Sequence, residues 1–220
     1  MNDFLDLPLV PLDSESLARL SPEVVSKLSP FQISTLTESQ VSALRTEQVS
    51  VLSSVQVQGL QPEQLMFLSP EQVSALSLGA IRALTPAHFG AIGGWQVSAL
   101  TSLQVAALTG AQLGGLKSYA LSGLGERLGL LTTAQLAGLT DLGGLEPASL
   151  TVLSAGALRA LTSQAIGTLN DQQLGELSPE QVGAFSSGQV LALRPQQLMA
   201  LGEDSVGALS SGTIRALRPE

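Results

Sequence analysis

Cysteine is absent from this 220-residue sequence, and charged and aromatic residues are scarce, at 13% and 3%. Without cysteine, no disulfide or thiolate site can form. The ten basic residues are scattered and the formal net charge is −8, so the clustered Lys and Arg on which nucleic-acid binding depends are missing. No long apolar run is present either, so we expect no transmembrane helix. We also see no basic start of an N-terminal secretory signal.

Groups suited to catalysis or metal binding are equally few. His88 is the only histidine, whereas a hydrolytic triad or a metal site needs several convergent partners. The glycine-rich stretch 90–94 is not followed by the Lys-Ser/Thr pair that completes a phosphate-binding loop. We therefore expect no enzyme activity, no metal and no cofactor.

An eight-residue repeat fills the sequence instead, and residues 69–76, SPEQVSAL, are a representative unit. The template is [Ser/Thr]-x-x-Gln-[Val/Leu/Ile]-x-[Ala/Gly]-Leu. It runs unbroken for 14 units over 13–124 and for nine units over 146–217. Between them, one regular unit at 132–139 lies between a unit of seven residues and a unit of six. Internal repetition of this kind is typical of a solenoid.

Four features of the octad indicate that each unit begins a new helix. Position 1 is mostly Ser or Thr, which are good N-cap residues. Position 4 is Gln in 14 units, which gives the capping-box spacing. Position 2 holds nine of the 11 prolines, at the first helical position, and position 3 often holds Glu, where the helix dipole favours an acid.

The same pattern decides between fold classes. One continuous helix is excluded because each interior proline would cost about 3 kcal/mol. A β-solenoid is the remaining alternative, but Ala, Gln and Glu are poor strand residues and the apolar spacing is not two. Positions 5 and 8 are apolar and lie on one helical face. The sequence thus predicts an all-α solenoid, a superhelix of very short helices with one helix per octad and three or four helices per coil.

We divide the chain into four segments: 1–12, a 14-unit solenoid over 13–124, irregular units over 125–145, and a nine-unit solenoid over 146–220. The irregular units shift the phase of the repeat and are rich in glycine, which indicates a bend, with a hinge as the alternative. We do not expect two independent domains.

The two ends of the repeat have different compositions. Segment 1–12 is apolar, and it is either a lid on the first coil or an arm that docks on a neighbouring molecule through Phe4, Leu5 and Leu7. At the other end the octad continues to the last residues, so Ile214 and Leu217 are expected at an open apolar end. Exposed apolar surface of that kind usually meets a partner.

A second candidate interface lies in the middle of the chain. Residues 72–125 contain no acid, and they hold the only His, Trp and Tyr residues, namely His88, Trp95 and Tyr119. Depleted charge together with Trp and Tyr is typical of an interface. The alternative is an ordinary, weakly charged stretch of solenoid.

The repeat also resembles a known class of sequence. Residues 36–44, LTESQVSAL, and 100–108, LTSLQVAAL, are similar to the Leu-Thr-x-x-Gln-Val-x-Ala-Leu arrays of large bacterial repeat proteins. The resemblance covers most of the chain. It implies a bacterial source, a structural or adhesive role, and an extracellular or cell-surface location, without assigning a function to any residue.

These observations lead to three hypotheses of function. The first is a structural protein that self-associates head-to-tail into a filament or another extended surface assembly. The second is a monomeric scaffold, such as a secreted effector or adhesin module, that binds another protein. The third is an ice- or glycan-binding face formed by the Ser and Thr hydroxyls at position 1.

Overall fold

The fold was determined as a computed structural model, which describes residues 12–217. Within this range the chain forms 24 α-helices of four to six residues, one 3-10 helix and no strand. The predicted all-α solenoid of very short helices is therefore confirmed. The expected interface residues Phe4, Leu5 and Leu7, and the arm or lid that contains them, lie outside the described residues.

The chain divides between Leu108 and Thr109 into two compact units. Both consist of short helices, most of them joined by two to four residues, and the longest connection is 137–146 in the second unit. The first unit contains α1 (Ser14–Arg19), α2 (Pro22–Val25), α3 (Pro30–Ser34), α4 (Glu38–Ala43), α5 (Thr46–Ser50), α6 (Ser54–Gly59), α7 (Pro62–Leu65), α8 (Pro70–Ala75), α9 (Leu78–Ala83), α10 (Pro86–Ala91), α11 (Gly94–Ala99) and α12 (Ser102–Ala107).

The second unit follows the same plan, with one 3-10 helix near its start. It contains α13 (Gly110–Gly115), α14 (Ser118–Leu121), the 3-10 helix (Ser122–Leu130), α15 (Thr133–Leu136), α16 (Pro147–Leu150), α17 (Ala155–Ala160), α18 (Ser163–Gly167), α19 (Asp171–Gly175), α20 (Pro179–Gly183), α21 (Ser187–Leu191), α22 (Pro195–Ala200), α23 (Glu203–Gly207) and α24 (Ser211–Ala216).

Each α-helix begins where the octad predicts. In α8, the hydroxyl of Ser69 accepts the N–H of Gln72 at 3.2 Å, and the side-chain oxygen of Gln72 accepts the N–H of Ser69 at 2.6 Å. Pro70 follows at the first helical position, where no N–H is needed. Such reciprocal caps satisfy backbone donors that a four-to-six-residue helix would otherwise leave unpaired.

Packing within each unit joins most helices to the third one after them. In the first unit, α3 contacts α6, α6 contacts α9, and α9 contacts α12; in the second, α17 contacts α20 and α20 contacts α23. The coil therefore has three helices per turn, which decides between the two values that the sequence left open. Residues one turn apart in space are about 24 apart in the sequence.

Apolar side chains at positions 5 and 8 form the core of each unit. In the first unit Val41 and Val57, both at position 5, are fully buried, and Leu44 and Leu60, at position 8, are almost so. Each buried side chain of this size stabilises the fold by roughly 1.5–3 kcal/mol. Isolated helices of this length do not persist in water, so stacking is what stabilises them.

Small residues let the helices approach closely, as the sequence predicted for position 7. A Cβ added to Gly59 would lie 2.5 Å from the carbonyl oxygen of Pro30, and one added to Gly138 would lie 2.0 Å from that of Gly110. Both distances are far shorter than any real contact. Only glycine therefore fits at these two crossings.

The irregular segment 125–145 lies inside the second unit. Gly125 has φ +51°, which favours glycine, and it interrupts the 3-10 helix. The six-residue unit forms a turn rather than a helix, yet Leu142 and Leu145 remain buried. The seven-residue and six-residue units thus retain both buried apolar side chains of the octad but lack part of its polar cap. A bend or a hinge at this segment stays a prediction.

Candidate functional site

Glutamine at position 4 links successive turns of the coil. The side chain of Gln56 is buried, and its Oε1 accepts the N–H of Ser53 at 2.9 Å. Its Nε2 donates to the carbonyl oxygens of Val25 and Leu28, at 2.9 and 2.8 Å, which belong to the preceding turn. One amide group thus caps its own helix and satisfies orphan carbonyls near the end of another.

The same hydrogen bonds recur along both units at separations of 28 and 31 residues. They join Gln48 to Leu17 and Leu20, Gln96 to Leu65 and Leu68, Gln173 to Leu142 and Leu145, Gln181 to Leu150 and Leu153, and Gln189 to Leu158 and Leu161. Among the described residues, no buried side-chain nitrogen or oxygen lacks a partner. The glutamines are therefore structural, and they leave no polar group free for a ligand.

His88 takes the place of this glutamine in α10. Its Nδ1 accepts the N–H of Thr85 at 3.0 Å, and its Nε2 lies 2.9 Å from the carbonyl oxygen of Leu60, to which it donates. This hydrogen-bond pattern assigns the proton to Nε2. His88 is buried, so it lies in the core and not on an exposed surface, in contrast to its proposed role in the interface.

The other expected interface residues are distributed between the two units. Trp95 is 83% exposed on α11 of the first unit, and Tyr119 is exposed on α14 of the second. Ile214 and Leu217 are half-buried, whereas Leu193 and Val190, at equivalent octad positions, are buried. The structure brings Ile214 and Leu217 together at the end of α24.

A more continuous apolar surface crosses four stacked helices of the first unit. We define the apolar row as Phe31 on α3, Val55 on α6, Leu78 on α9 and Leu103 on α12. Phe31, Val55 and Leu103 are 57%, 61% and 71% exposed, and Leu78 is also exposed. Because each of these helices packs on the next, the four side chains follow one face of the coil.

Acidic residues are absent from the octads of the apolar row and present on other helices of the first unit. The octads that contain α3, α6, α9 and α12 hold no acid and only one charged residue, Arg82. Each of six other helices of the first unit carries a glutamate in its first turn: Glu15, Glu23, Glu38, Glu47, Glu63 and Glu71. The face that carries the apolar row is therefore free of acids, and its neighbouring faces are acidic.

Sequence reasoning did not find the apolar row. It noticed the absence of acid in residues 72–125, which covers α9 and α12 but neither α3 nor α6. The signal was nevertheless present, since Phe31, Val55 and Leu103 all occupy position 3 and are separated by multiples of 24. Residues with this spacing lie on a shared face only if the coil has three helices per turn.

Two exposed glutamates have pKa values that local hydrogen bonds lower. Glu71 accepts the hydroxyl of Ser69 at 2.7 Å, and this side-chain hydrogen bond is the main reason that its pKa lies below the ordinary value. Ser178 lowers the pKa of Glu180 in the same way. Both acids complete a Ser-Pro-Glu-Gln cap, so their role is structural.

Hydroxyls at position 1 are engaged as caps too. Thr37 and Thr101 accept the N–H groups of Gln40 and Gln104, at 3.3 and 3.2 Å. In residues 12–217 no three His, Asp or Glu side chains group so as to hold a metal ion. No helix of that range is both long and apolar enough to cross a membrane.

The second unit exposes an apolar surface of its own. Leu191 and Met199 are exposed, and so is Val206 to a smaller degree. Met199 and Val206 line one shallow groove together with Leu198 and Glu203. Glu203 is the only charged residue that lines the groove, and the other lining residues are apolar side chains or glycine, so it suits an apolar contact.

Comparison with known proteins gives no assignment for this fold. No family model matches the chain, and the search of curated proteins found no match either. Inferences about function therefore depend on the surfaces described above.

Proposed function

We propose that this chain is a non-enzymatic structural protein that associates with copies of itself into an extended assembly. The observation that supports this most directly is that each compact unit exposes its own group of large apolar side chains. The first unit presents the apolar row, and the second presents the groove that Met199 and Val206 line. Contiguous exposed apolar surface is characteristic of contact sites.

These side chains are not needed for the core. Positions 5 and 8 already fill the interior of the coil, whereas Phe31, Val55 and Leu103 occupy position 3, which six other units fill with glutamate. Glutamate at position 3 favours both solubility and the helix dipole. Its replacement by large apolar residues is therefore costly for an isolated molecule and favourable for one that binds a partner.

Two separate contact surfaces permit an extended assembly. A molecule that binds one neighbour through its first unit and another through its second continues the chain in both directions. Head-to-tail contact between unlike surfaces and contact between like surfaces both satisfy this requirement. The resemblance to bacterial surface repeat arrays agrees with such a role and makes an extracellular location part of the same proposal.

Sedimentation velocity and negative-stain electron microscopy test the proposal. Replacement of the exposed apolar side chains by polar ones should weaken association, because burial of apolar surface drives it. We expect the sedimentation coefficient of the wild-type protein to rise with concentration, and elongated particles to appear in the images. A single monomeric species at every concentration up to about 1 mM, where even a contact worth about 4 kcal/mol would be substantially formed, would contradict it.

A monomeric protein-binding scaffold is the second candidate, and Trp95 favours it. This side chain is more exposed than any other large apolar one among the described residues, and tryptophan is enriched at binding hot spots. α11 packs on α8, and α8 on α5, so Trp95 shares a face with Glu71 and Glu47. This candidate predicts a soluble monomer whose protein partner is lost on Trp95→Ala and kept on Met66→Ala.

A further inference from the structure

The apolar row meets several conditions for contact with an identical surface. Its four helices are stacked in order, and each presents an exposed apolar side chain. Their octads contribute no carboxylate. The face therefore has apolar groups at its centre and only uncharged groups and Arg82 around them.

Charge makes a second copy the fitting occupant of this face. The chain carries a net charge of −8, so two copies repel each other wherever their acidic faces meet. Contact through α2, α5 and α8 would bring Glu23, Glu47 and Glu71 towards like charges. The apolar row lets two copies of an acidic protein meet without placing carboxylates opposite one another.

The repeat period adds geometric complementarity. Side chains of the apolar row are separated by one helix-to-helix spacing, about 8–10 Å for packed helices. An identical row has the same spacing by construction, so all four positions can match at once. An unrelated surface would match this period only by accident.

Arg82 decides the relative direction of the two rows. If the rows ran parallel, each Arg82 would face its counterpart. If they run antiparallel, α9 of one copy faces α6 of the other, whose octad is uncharged. Val55 then lies opposite Leu78 and the side-chain-free Gly79, and Phe31 lies opposite Leu103.

From these observations we infer that the apolar row binds the apolar row of a second copy, antiparallel and around a two-fold axis. This inference rests on the proposed self-association and names the contact made by the first unit. In such an isologous contact each residue pair occurs twice. This contact between like surfaces differs from the head-to-tail arrangement expected from the sequence, in which unlike surfaces meet.

The size of the contact predicts its strength. Four helices of about 9 Å length at about 9 Å spacing give a face of roughly 300–350 Å² per copy. Stable interfaces bury about 800 Å² per partner, so this contact alone is weak, with a Kd on the order of 100 μM.

Charge substitution tests which surface is used. The variant Val55→Glu with Leu103→Glu places two acids in each row and therefore up to four across the contact. We expect it to raise the Kd of self-association at least tenfold in sedimentation equilibrium. Met66→Glu is the matched control, since Met66 is exposed on the first unit but outside the row. It should change the Kd by no more than about twofold, which corresponds to less than about 0.5 kcal/mol.

Disulfide trapping tests the direction, because the chain has no cysteine of its own. An equimolar mixture of the single variants Phe31→Cys and Leu103→Cys should form the mixed disulfide dimer under mild oxidation, because these positions face each other and disulfides need Cα atoms within about 7 Å. Either variant alone should remain largely unlinked. Circular dichroism of every variant verifies that the helices are retained.

The outcomes separate this inference from the proposed function. If the wild-type protein associates and the double glutamate variant associates equally well, the row is not the contact, although self-association stands. If Phe31→Cys links with itself and not with Leu103→Cys, the antiparallel arrangement is wrong. If the wild-type protein is monomeric throughout, both the function and the contact are overturned.

Discussion

The Nε2 atom of His88 lies 2.9 Å from the carbonyl oxygen of Leu60, 28 residues earlier. Leu28 and Gln56 have the same separation and are joined by the same kind of hydrogen bond, at 2.8 Å. Imidazole and carboxamide thus perform one task, since each presents an acceptor to its own N-cap and a donor to the previous turn. In these two octads the side chain at position 4 therefore acts through its donor–acceptor pair rather than through a particular residue type.

Substitution of His88 follows from that equivalence. His88→Gln should retain both hydrogen bonds and change the free energy of unfolding by less than about 1 kcal/mol, within the range of a conservative exchange. His88→Ala removes both, leaves the carbonyl of Leu60 without its donor, and should cost roughly 1–3 kcal/mol. Urea denaturation followed by circular dichroism measures both, and an equal loss in the two variants would refute the equivalence.

A second pair of variants isolates the link between turns. Gln56→Ala removes the buried donor to Val25 and Leu28 together with the acceptor for Ser53. It should lower the free energy of unfolding by roughly 1–3 kcal/mol because buried polar groups lose their partners.

The matched control lies on the same helix. Gln58 is exposed on α6, so Gln58→Ala should change stability by less than about 0.5 kcal/mol, as surface substitutions usually do. Similar losses in both variants would mean that the link between turns contributes no measurable stability at Gln56.

Most of the fold follows from the octad, because its signals are local. Ser69, Pro70 and Gln72 each specify part of one helix start, and the structure places α8 where they predict. The role of the glutamine Nε2 atom could not be predicted, since it depends on which residues lie one turn away. The sequence does not give the number of helices per turn. Without that number the apolar row cannot be recognised, and His88 is taken for an exposed interface residue.

Close approach between helices in the second unit leads to a third prediction. Gly138→Ala would place a Cβ at 2.0 Å from the carbonyl oxygen of Gly110, so the backbone must shift. We expect a loss of at least about 1–3 kcal/mol from this overpacking, measured as the shift of the urea midpoint.

Gly207→Ala is its control. Nothing lies within 4 Å of a Cβ added there, and alanine is the better helix former, so this variant should be unchanged or more stable by up to about 1 kcal/mol. If Gly138→Ala is tolerated as readily as Gly207→Ala, the close crossing of these helices does not exist.

Acid titration provides a fourth prediction. The hydroxyl of Ser69 lowers the pKa of Glu71, and a lowered folded-state pKa contributes stability above the ordinary glutamate value, about 4.3. That contribution is lost as the pH falls through the folded-state pKa. NMR titration of Ser69→Ala should return the pKa of Glu71 towards its ordinary value and leave that of Glu180 low. An unchanged Glu71 pKa would rule out this cause.

Helices separated by 24 residues are stacked neighbours, and every surface described above depends on this arrangement. Ser26 and Ser98 are exposed at the same position of the octad, 72 residues apart, at or near the ends of α2 and α11. Packing of α2 on α5, α5 on α8 and α8 on α11 separates them by three helix spacings. Spin labels on Ser26→Cys and Ser98→Cys, measured by pulsed electron paramagnetic resonance with excess unlabelled protein, should therefore report about 24–30 Å. A distance near 108 Å, as in one continuous helix at about 1.5 Å per residue, would contradict the stacked coil and everything inferred from its apolar row.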